Sequence, residues 1–269
     1  MKIAFCLYGL IGSSEKYGLG KKHNDLINLY NSFKNNVLLK NSEFDIDIFV
    51  HSWSCEYKND ILDMYKPKKF LFQKQKKLFS WKIFLRYLRA NYRNINFYLG
   101  LFKVSKYKLS PFLIRIHSVL SRWKSTRTSL SLMREYEKEN NFNYDIVVSS
   151  RIDLFFIRPF ILKNEFTNKV FFPVFNEYHT HDKIKKIFSS KDIGITNGKI
   201  SDLIIGGNRE SVLKLESNFK NVQNGLVDFS PHFCSFHNFK KEINETKYEL
   251  PLIPGHDICV GRDVNFILK

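Results

Sequence analysis

At 269 residues and 43% hydrophobic composition, the chain carries enough apolar material for one large α/β domain, or for one such domain with an insertion. Its four cysteines, Cys6, Cys55, Cys234 and Cys259, stand far apart with no CxxC spacing, which argues against a zinc knuckle or a disulfide framework and fits a reducing cytoplasm. The formal charge is +17, yet no apolar run approaches the roughly 20 residues that span a bilayer and the N-terminal run is too short for a signal sequence, so any membrane contact is expected to be peripheral.

The first predicted element is a strand at Ile3–Tyr8, followed by a Gly/Ser-rich turn from Gly9 to Gly20 and by helical spacing through Leu26, Leu29, Tyr30, Phe33 and Val37. A second strand reads at Asp45–Val50 and ends at His51-Ser52-Trp53. Strand, helix, strand with turns of this length starts a parallel sheet. The rhythm then breaks over residues 66–110. No acidic residue occurs between Asp63 and Glu135, while residues 66–134 hold 18 of the 43 Lys and Arg, leaving 25 to face 26 acids elsewhere. Aromatic residues such as Phe70, Phe79, Trp81 and Tyr87 sit among these charges, a mixture that suits an anionic partner. Leu78, Trp81, Ile83, Phe84, Tyr87 and Leu88 predict a basic amphipathic helix, and Ser110-Pro111 closes a segment read as an insertion or lid.

A long helix from Leu113 to Asn140 leads into a third strand, Asp145–Ser150, whose solidly apolar centre suits a strand covered on both faces. Further strands are expected at Val170–Phe175 and Leu203–Ile205, the latter running into Gly206-Gly207-Asn208 and a helix from Arg209 to Phe219.

Ligands of open α/β sheets sit beyond the carboxyl ends of the strands, which singles out three edges. At the first, Gly9, Gly12 and Ser13 offer close backbone approach and amide or hydroxyl donors to a nucleotide, without the GxGxxG or GKS/T spacings; a plain turn is the competing reading. At the second, His51 and Trp53 can contact a base or a sugar, or the histidine can be satisfied inside the protein. At the third, Arg151 can grip phosphate oxygens as a planar fork and Asp153 can bind a divalent metal that clamps a diphosphate. The same two residues can instead pair with each other and cap the strand. Asp202 precedes an apolar strand, where it can act as a general base or hydrogen-bond a sugar hydroxyl. The C-terminal His232, His237, His256 and Asp257 lack the HExxH arrangement of a metal site, and most of these histidines read as structural.

Taken in order, Tyr8-Gly9, the segment from Asp45 to Trp53, the helix end Arg134-Glu135-Tyr136-Glu137, the run from Tyr144 to Leu154 and the segment from Ser201 to Gly206 resemble the GT-A-like glycosyltransferases of bacterial capsule and lipooligosaccharide clusters. The resemblance covers most of the chain outside the basic segment. It implies one GT-A-like, Rossmann-like catalytic domain over residues 1–269, with a mostly parallel sheet, flanking helices and a basic, aromatic-rich helical insertion at 66–110. The implied activity is transfer of a hexosyl or related sugar from a nucleotide-sugar donor to a growing capsular or lipooligosaccharide glycan. The resemblance places Asp153 where the family's DxD motif holds Mn²⁺ or Mg²⁺, or the diphosphate, with Arg151 as its partner. Arg151 replaces the first carboxylate of that motif, so metal-independent activity stays open. An inverting reaction takes Asp202 as its base with His232 in reserve, and a retaining one needs neither. The acceptor is lipid-linked or a polysaccharide. Residues 66–134 suit the anionic inner face of the cytoplasmic membrane, where each Lys or Arg gains about 1 kcal/mol. No specific nucleic acid is expected, because RNP1, zinc-finger and helix-turn-helix patterns are missing. The alternative class is a non-catalytic protein that binds an anionic polymer, nucleic acid or polysaccharide, on the same scaffold.

Overall fold

The computed structural model describes residues 1–11, 24–75, 111–173, 200–224, 231–245, 247–252 and 257–260, with 78, 81, 83 and 85 as single positions; within these, the side chains of 24, 25, 111–116, 231–233, 236, 259 and 260 fall outside the description. Strand β1, Lys2–Gly9, is apolar and buried from Ile3 to Tyr8, a pattern that only a central strand covered on both faces can satisfy. It pairs in parallel with β2, Asp45–Ser52, on one side and with β4, Ile146–Arg151, on the other. Strand β3, Lys69–Phe72, extends the sheet in parallel beyond β2. Past β4 the direction reverses at β7, Ile204–Asn208, followed by β6, Val170–Phe171, and β8, Tyr248–Glu249. The order is β3-β2-β1-β4-β7-β6-β8, a mostly parallel, Rossmann-like α/β sheet. Leu154–Phe156 (β5) and Ile258–Val260 (β9) form a separate antiparallel pair.

Alternation along the strands feeds two cores. Ile3, Phe5 and Leu7, with Ile48, Val50, Ile146 and Val148, pack against helices α1, Asn24–Phe33, and α2, Lys58–Tyr65. Ala4, Cys6, Phe49 and Val147 face the opposite way, onto Val119, Leu120, Trp123, Leu130 and Met133 of the long helix α3, Pro111–Asn140. Helices α4, Arg209–Leu213, α5, Ser217–Gln223, and α6, Pro231–Asn244, complete that layer. Each large apolar side chain removed from water in this way stabilises the fold by about 1.5–3 kcal/mol.

Helix α3 opens on a proline, whose fixed φ and missing N–H suit a first turn. It stops where Asn141 turns left-handed at φ 55° and the Phe142 N–H donates to the Glu137 carbonyl at 3.2 Å, the double-wound ending that an asparagine tolerates. Along its buried side the helix carries Ser121, Ser125, Thr126 and Ser129. Short side chains at these positions let α3 lie close against β1 and β2. A comparable economy of volume operates at Gly206, where a Cβ would fall 2.2 Å from the Phe171 ring of the neighbouring antiparallel strand β6.

The strands expected at Ile3–Tyr8, Asp45–Val50, Asp145–Ser150 and Leu203–Ile205 all form, with ends moved by at most three residues. Three expectations are corrected. Residues 69–72 belong to the sheet and not to an insertion; as an edge strand they leave Phe70 and Leu71 exposed, which removed any periodic sign of burial. The helix expected over Arg209–Phe219 breaks into α4, a 3-10 turn at Lys214–Glu216 and α5. The expected strand at Val170–Phe175 is a strand only at Val170–Phe171 among the described residues. Trp81, Ile83 and Leu85 are helical, with Ile83 buried and the other two exposed, and most of the remaining stretch to 110 lies outside the described residues. Among the described residues no helix is long and apolar enough to cross a membrane.

Candidate functional site

Strands β1, β2 and β4 end at one level, so Tyr8 stands opposite His51 on one side and Arg151 on the other. Strand β7 runs antiparallel and starts from that same edge, which brings Asp202, two residues before it, to the ends of β1 and β4.

The β2 side is neutral and closed. Gly9 adopts φ 118°, a conformation that favours glycine, and its N–H donates to Ser125 Oγ at 3.0 Å. The Gly9 carbonyl accepts from the Trp53 N–H and from Ser52 Oγ, each at 3.1 Å. Gln73 donates its amide to His51 Nε2 at 2.8 Å, which places the ring proton on Nδ1, 2.5 Å from Ser125 Oγ. Burial, reinforced by the charge of Lys124, pushes the imidazole down to about 4, so His51 is neutral at physiological pH. The Trp53 ring stands edge-on to the His51 ring at 4.6 Å, with Lys124 Nζ 5.8 Å from the indole. The structure therefore packs His51 and Trp53 into the protein, both imidazole nitrogens committed to Ser125 and Gln73. Gly9 likewise has its N–H and carbonyl engaged by protein groups.

On the β4 side the groups are charged. Arg151 Nε and Nη2 donate to the two oxygens of Asp153 at 2.7 and 2.6 Å, a planar fork on a carboxylate, and both side chains keep partial access to solvent. Arg122, reaching in from α3, donates through Nη1 to Asp202 Oδ2 and through Nη2 to the Asp202 carbonyl and to Tyr8 Oη, the last at 2.5 Å. The Tyr8 hydroxyl in turn donates to the Asp202 carbonyl at 3.1 Å. The guanidinium carbon of Arg122 lies 5.3 Å from the Tyr8 ring and 5.1 Å from the Trp123 ring, and its Nε is buried without a partner among the described residues. Burial raises the Tyr8 phenol above its ordinary range, Arg122 and Arg151 pull it down, Asp202 and Asp153 push it up, and it stays protonated. Burial works against the Arg151 charge, but Asp153, Asp202 and Tyr8 outweigh it and hold the guanidinium charged. Two guanidinium groups and two carboxylates thus surround one neutral phenol.

Of the sequence candidates, the structure brings Arg151, Asp153 and Asp202 together beyond β4, next to the end of β1 where Gly9 lies. The Arg151–Asp153 fork is also the strand cap that the sequence left as the competing reading. Gly12 and Ser13 lie outside the described residues, as does the side chain of His232, whose backbone sits in the first turn of α6. Arg122, Ser125, Gln73 and the Tyr8 hydroxyl were not anticipated. The available signal was the serine spacing of α3, Ser121, Ser125 and Ser129, which marks the helix face nearest the sheet.

A divalent cation wants several open oxygen ligands. Asp153 offers one carboxylate whose oxygens both accept from Arg151, and no group of three or more His, Cys, Asp or Glu among the described residues is arranged to hold a metal. As arranged, this donor set does not fit a metal ion; it presents guanidinium N–H groups, which suit a phosphate.

No protein-family model matches the chain, and no curated protein matches it. Among solved structures the chain is similar to mouse xyloside xylosyltransferase 1 in its apo form, with a TM-score of 0.39 and 9% sequence identity over 93% of this chain and 85% of that one. A likeness of this degree concerns overall shape only, and the α/β class rests on the strand order and pairing described above.

Proposed function

We propose that the chain is a glycosyltransferase that moves a hexosyl or related sugar from a nucleotide-sugar donor to a growing capsular or lipooligosaccharide glycan. The observation that supports this reading is the gathering of Arg151, Asp153, Arg122, Tyr8 and Asp202 at the carboxyl ends of β1 and β4, the place where open α/β sheets take their ligands. In such a transfer, negative charge grows on the departing nucleoside diphosphate, and donors already fixed toward that charge accelerate the step without reorganising. Arg151 supplies such a donor, with Asp153 holding its plane. Asp202 is the group to take the acceptor proton in an inverting reaction, with His232 in reserve. Positioning donor and acceptor together supplies much of the remaining rate.

The guanidinium arrangement favours a phosphate clamp that needs no metal; a Mn²⁺ or Mg²⁺ ion at Asp153 would first require Arg151 to turn away. The acceptor is lipid-linked or a polysaccharide, and the acid-free segment 66–134 holds the cytoplasmic enzyme at the anionic inner face of the membrane.

The experiment is a thermal-shift panel of UDP-, GDP-, CMP- and dTDP-linked sugars, each with Mn²⁺, Mg²⁺ or chelator, since a ligand of the native state raises apparent stability. One nucleotide is expected to shift the transition selectively and to do so in chelator as well. Silence toward all four, with a shift from RNA or an acidic glycan, would replace the transferase by a polymer-binding scaffold. A second arm floats the protein with anionic vesicles, where capture at low salt and release at high salt are expected.

A further inference from the structure

The transferase reading asks Asp202 to meet an acceptor, yet the carboxylate is held by Arg122 and is almost wholly buried. We infer that Arg122 is a second phosphate-binding residue of this site, and that it exchanges the Asp202 carboxylate for a diphosphate oxygen when the donor binds. The inference rests on the transferase reading and deepens it, because it assigns the site a second cation and an order of binding.

Four observations carry it. The acceptors that Arg122 now holds, one carboxylate oxygen, one carbonyl and one phenol, are oxygens gathered on one side of a planar donor, a pattern that diphosphate oxygens can take over. Its Nε is a buried donor without a partner among the described residues, so the guanidinium has capacity there for an added acceptor. Its guanidinium carbon lies within 5.3 Å of the Tyr8 ring and 5.1 Å of the Trp123 ring, cation–π contacts that keep the group in place while its partners change. Arg151 and Arg122 both act on the Tyr8 phenol, so the two cations address one small volume. A single arginine can hold one phosphate as a fork; two beside one phenol match the two phosphates of a nucleoside diphosphate. On exchange, Asp202 is released only once the donor is seated, which places donor binding before proton removal.

The opposing possibility is that the Arg122–Asp202 pair merely ties the segment before β7 to α3. Calorimetric titration of the full chain with inorganic pyrophosphate separates the two. Asp202→Asn keeps the shape and removes the competing charge, so pyrophosphate is expected to bind about tenfold more tightly than to the unmodified chain. Arg122→Lys loses the fork, and binding is expected to weaken about tenfold while the melting transition is kept. Unchanged or weaker binding in Asp202→Asn, or unchanged binding in Arg122→Lys, overturns the exchange and leaves a structural tether. Should Asp202→Asn fail to fold by circular dichroism, Arg122→Lys decides alone in the same terms. Pyrophosphate behaving as expected while every nucleotide-sugar stays silent would remove the transferase reading and keep the anion exchange; the reverse pattern would do the opposite.

Discussion

The carboxyl ends of β2 and β4 flank the same central strand and are built from opposite materials. Beyond β2, His51, Ser125, Gln73 and the backbone of Gly9 satisfy one another with neutral hydrogen bonds, and the imidazole is kept uncharged by burial. Beyond β4, Arg151, Asp153, Arg122 and Asp202 form ion pairs, one of them open to solvent on both partners. A fully satisfied neutral network rigidifies what it joins and has nothing left to offer a ligand. Ion pairs at a sheet edge hold partners that another anion can displace. The first edge thus holds the strand ends in register, and on the proposed function the second carries the chemistry.

The largest effect that would sharpen this division is on turnover. Arg151→Ala should lower kcat by about 10²–10³-fold, in line with losing a preorganised donor to a developing anion, while melting shifts little because the Arg151–Asp153 pair is partly exposed. Steady-state kinetics with the sugar donor identified by thermal shift would measure it, and unmodified rates would place the β4 edge in the same structural class as the β2 edge. Next comes stability on the neutral side. Ser125→Ala leaves the Gly9 N–H and the His51 Nδ1–H without their acceptor, and denaturant unfolding should show a loss of about 2–4 kcal/mol with turnover per folded molecule nearly kept. An unchanged midpoint would show that the network is not what holds the edge.

A smaller effect should follow pH. The folded-state pKa of His51 is depressed to about 4 from 6.5, so between these values the unfolded chain binds more protons and stability rises with pH. The contribution is present above pH 6.5 and is lost as pH falls toward 4, amounting to about 2 kcal/mol between pH 7.5 and 5. Unfolding curves at the two pH values, compared with those of His51→Asn, would show it; the same slope in both proteins would assign the pH dependence to other groups.

The parts of this architecture that were legible share a physical origin. β1, β2 and β4 are covered on both faces, so their apolar runs are continuous and their polar ends mark the sheet edge. β3 left no such trace, because Lys69–Phe72 sits at an edge and its residues are at most half-buried. The antiparallel entry of β7 was equally silent, since strand direction depends on the path between elements and not on local pattern. At the site, residues adjacent in sequence, such as Arg151 and Asp153, could be matched by spacing. Arg122 meets Asp202 and Tyr8 across 80 and 114 positions, and its place in the acid-free segment had grouped it with surface charge. Arg122 faces inward because the serine-lined side of α3 admits it between helix and sheet.

Glu137 gives α3 a further property. It accepts from Arg209 Nε and Nη2 at 2.8 Å each and from the Tyr144 N–H at 2.9 Å, buried where the helix hands over to β4. Together with Ser125 on Gly9 and His51, it pins the helix to the sheet at two places, separated by about 18 Å of helix at about 1.5 Å per residue. A rod bolted at both points cannot slide by a turn without breaking buried contacts. Any change of partner at Arg122 is therefore a matter of side-chain rotation within a fixed frame, with the helix and the sheet edge keeping their places.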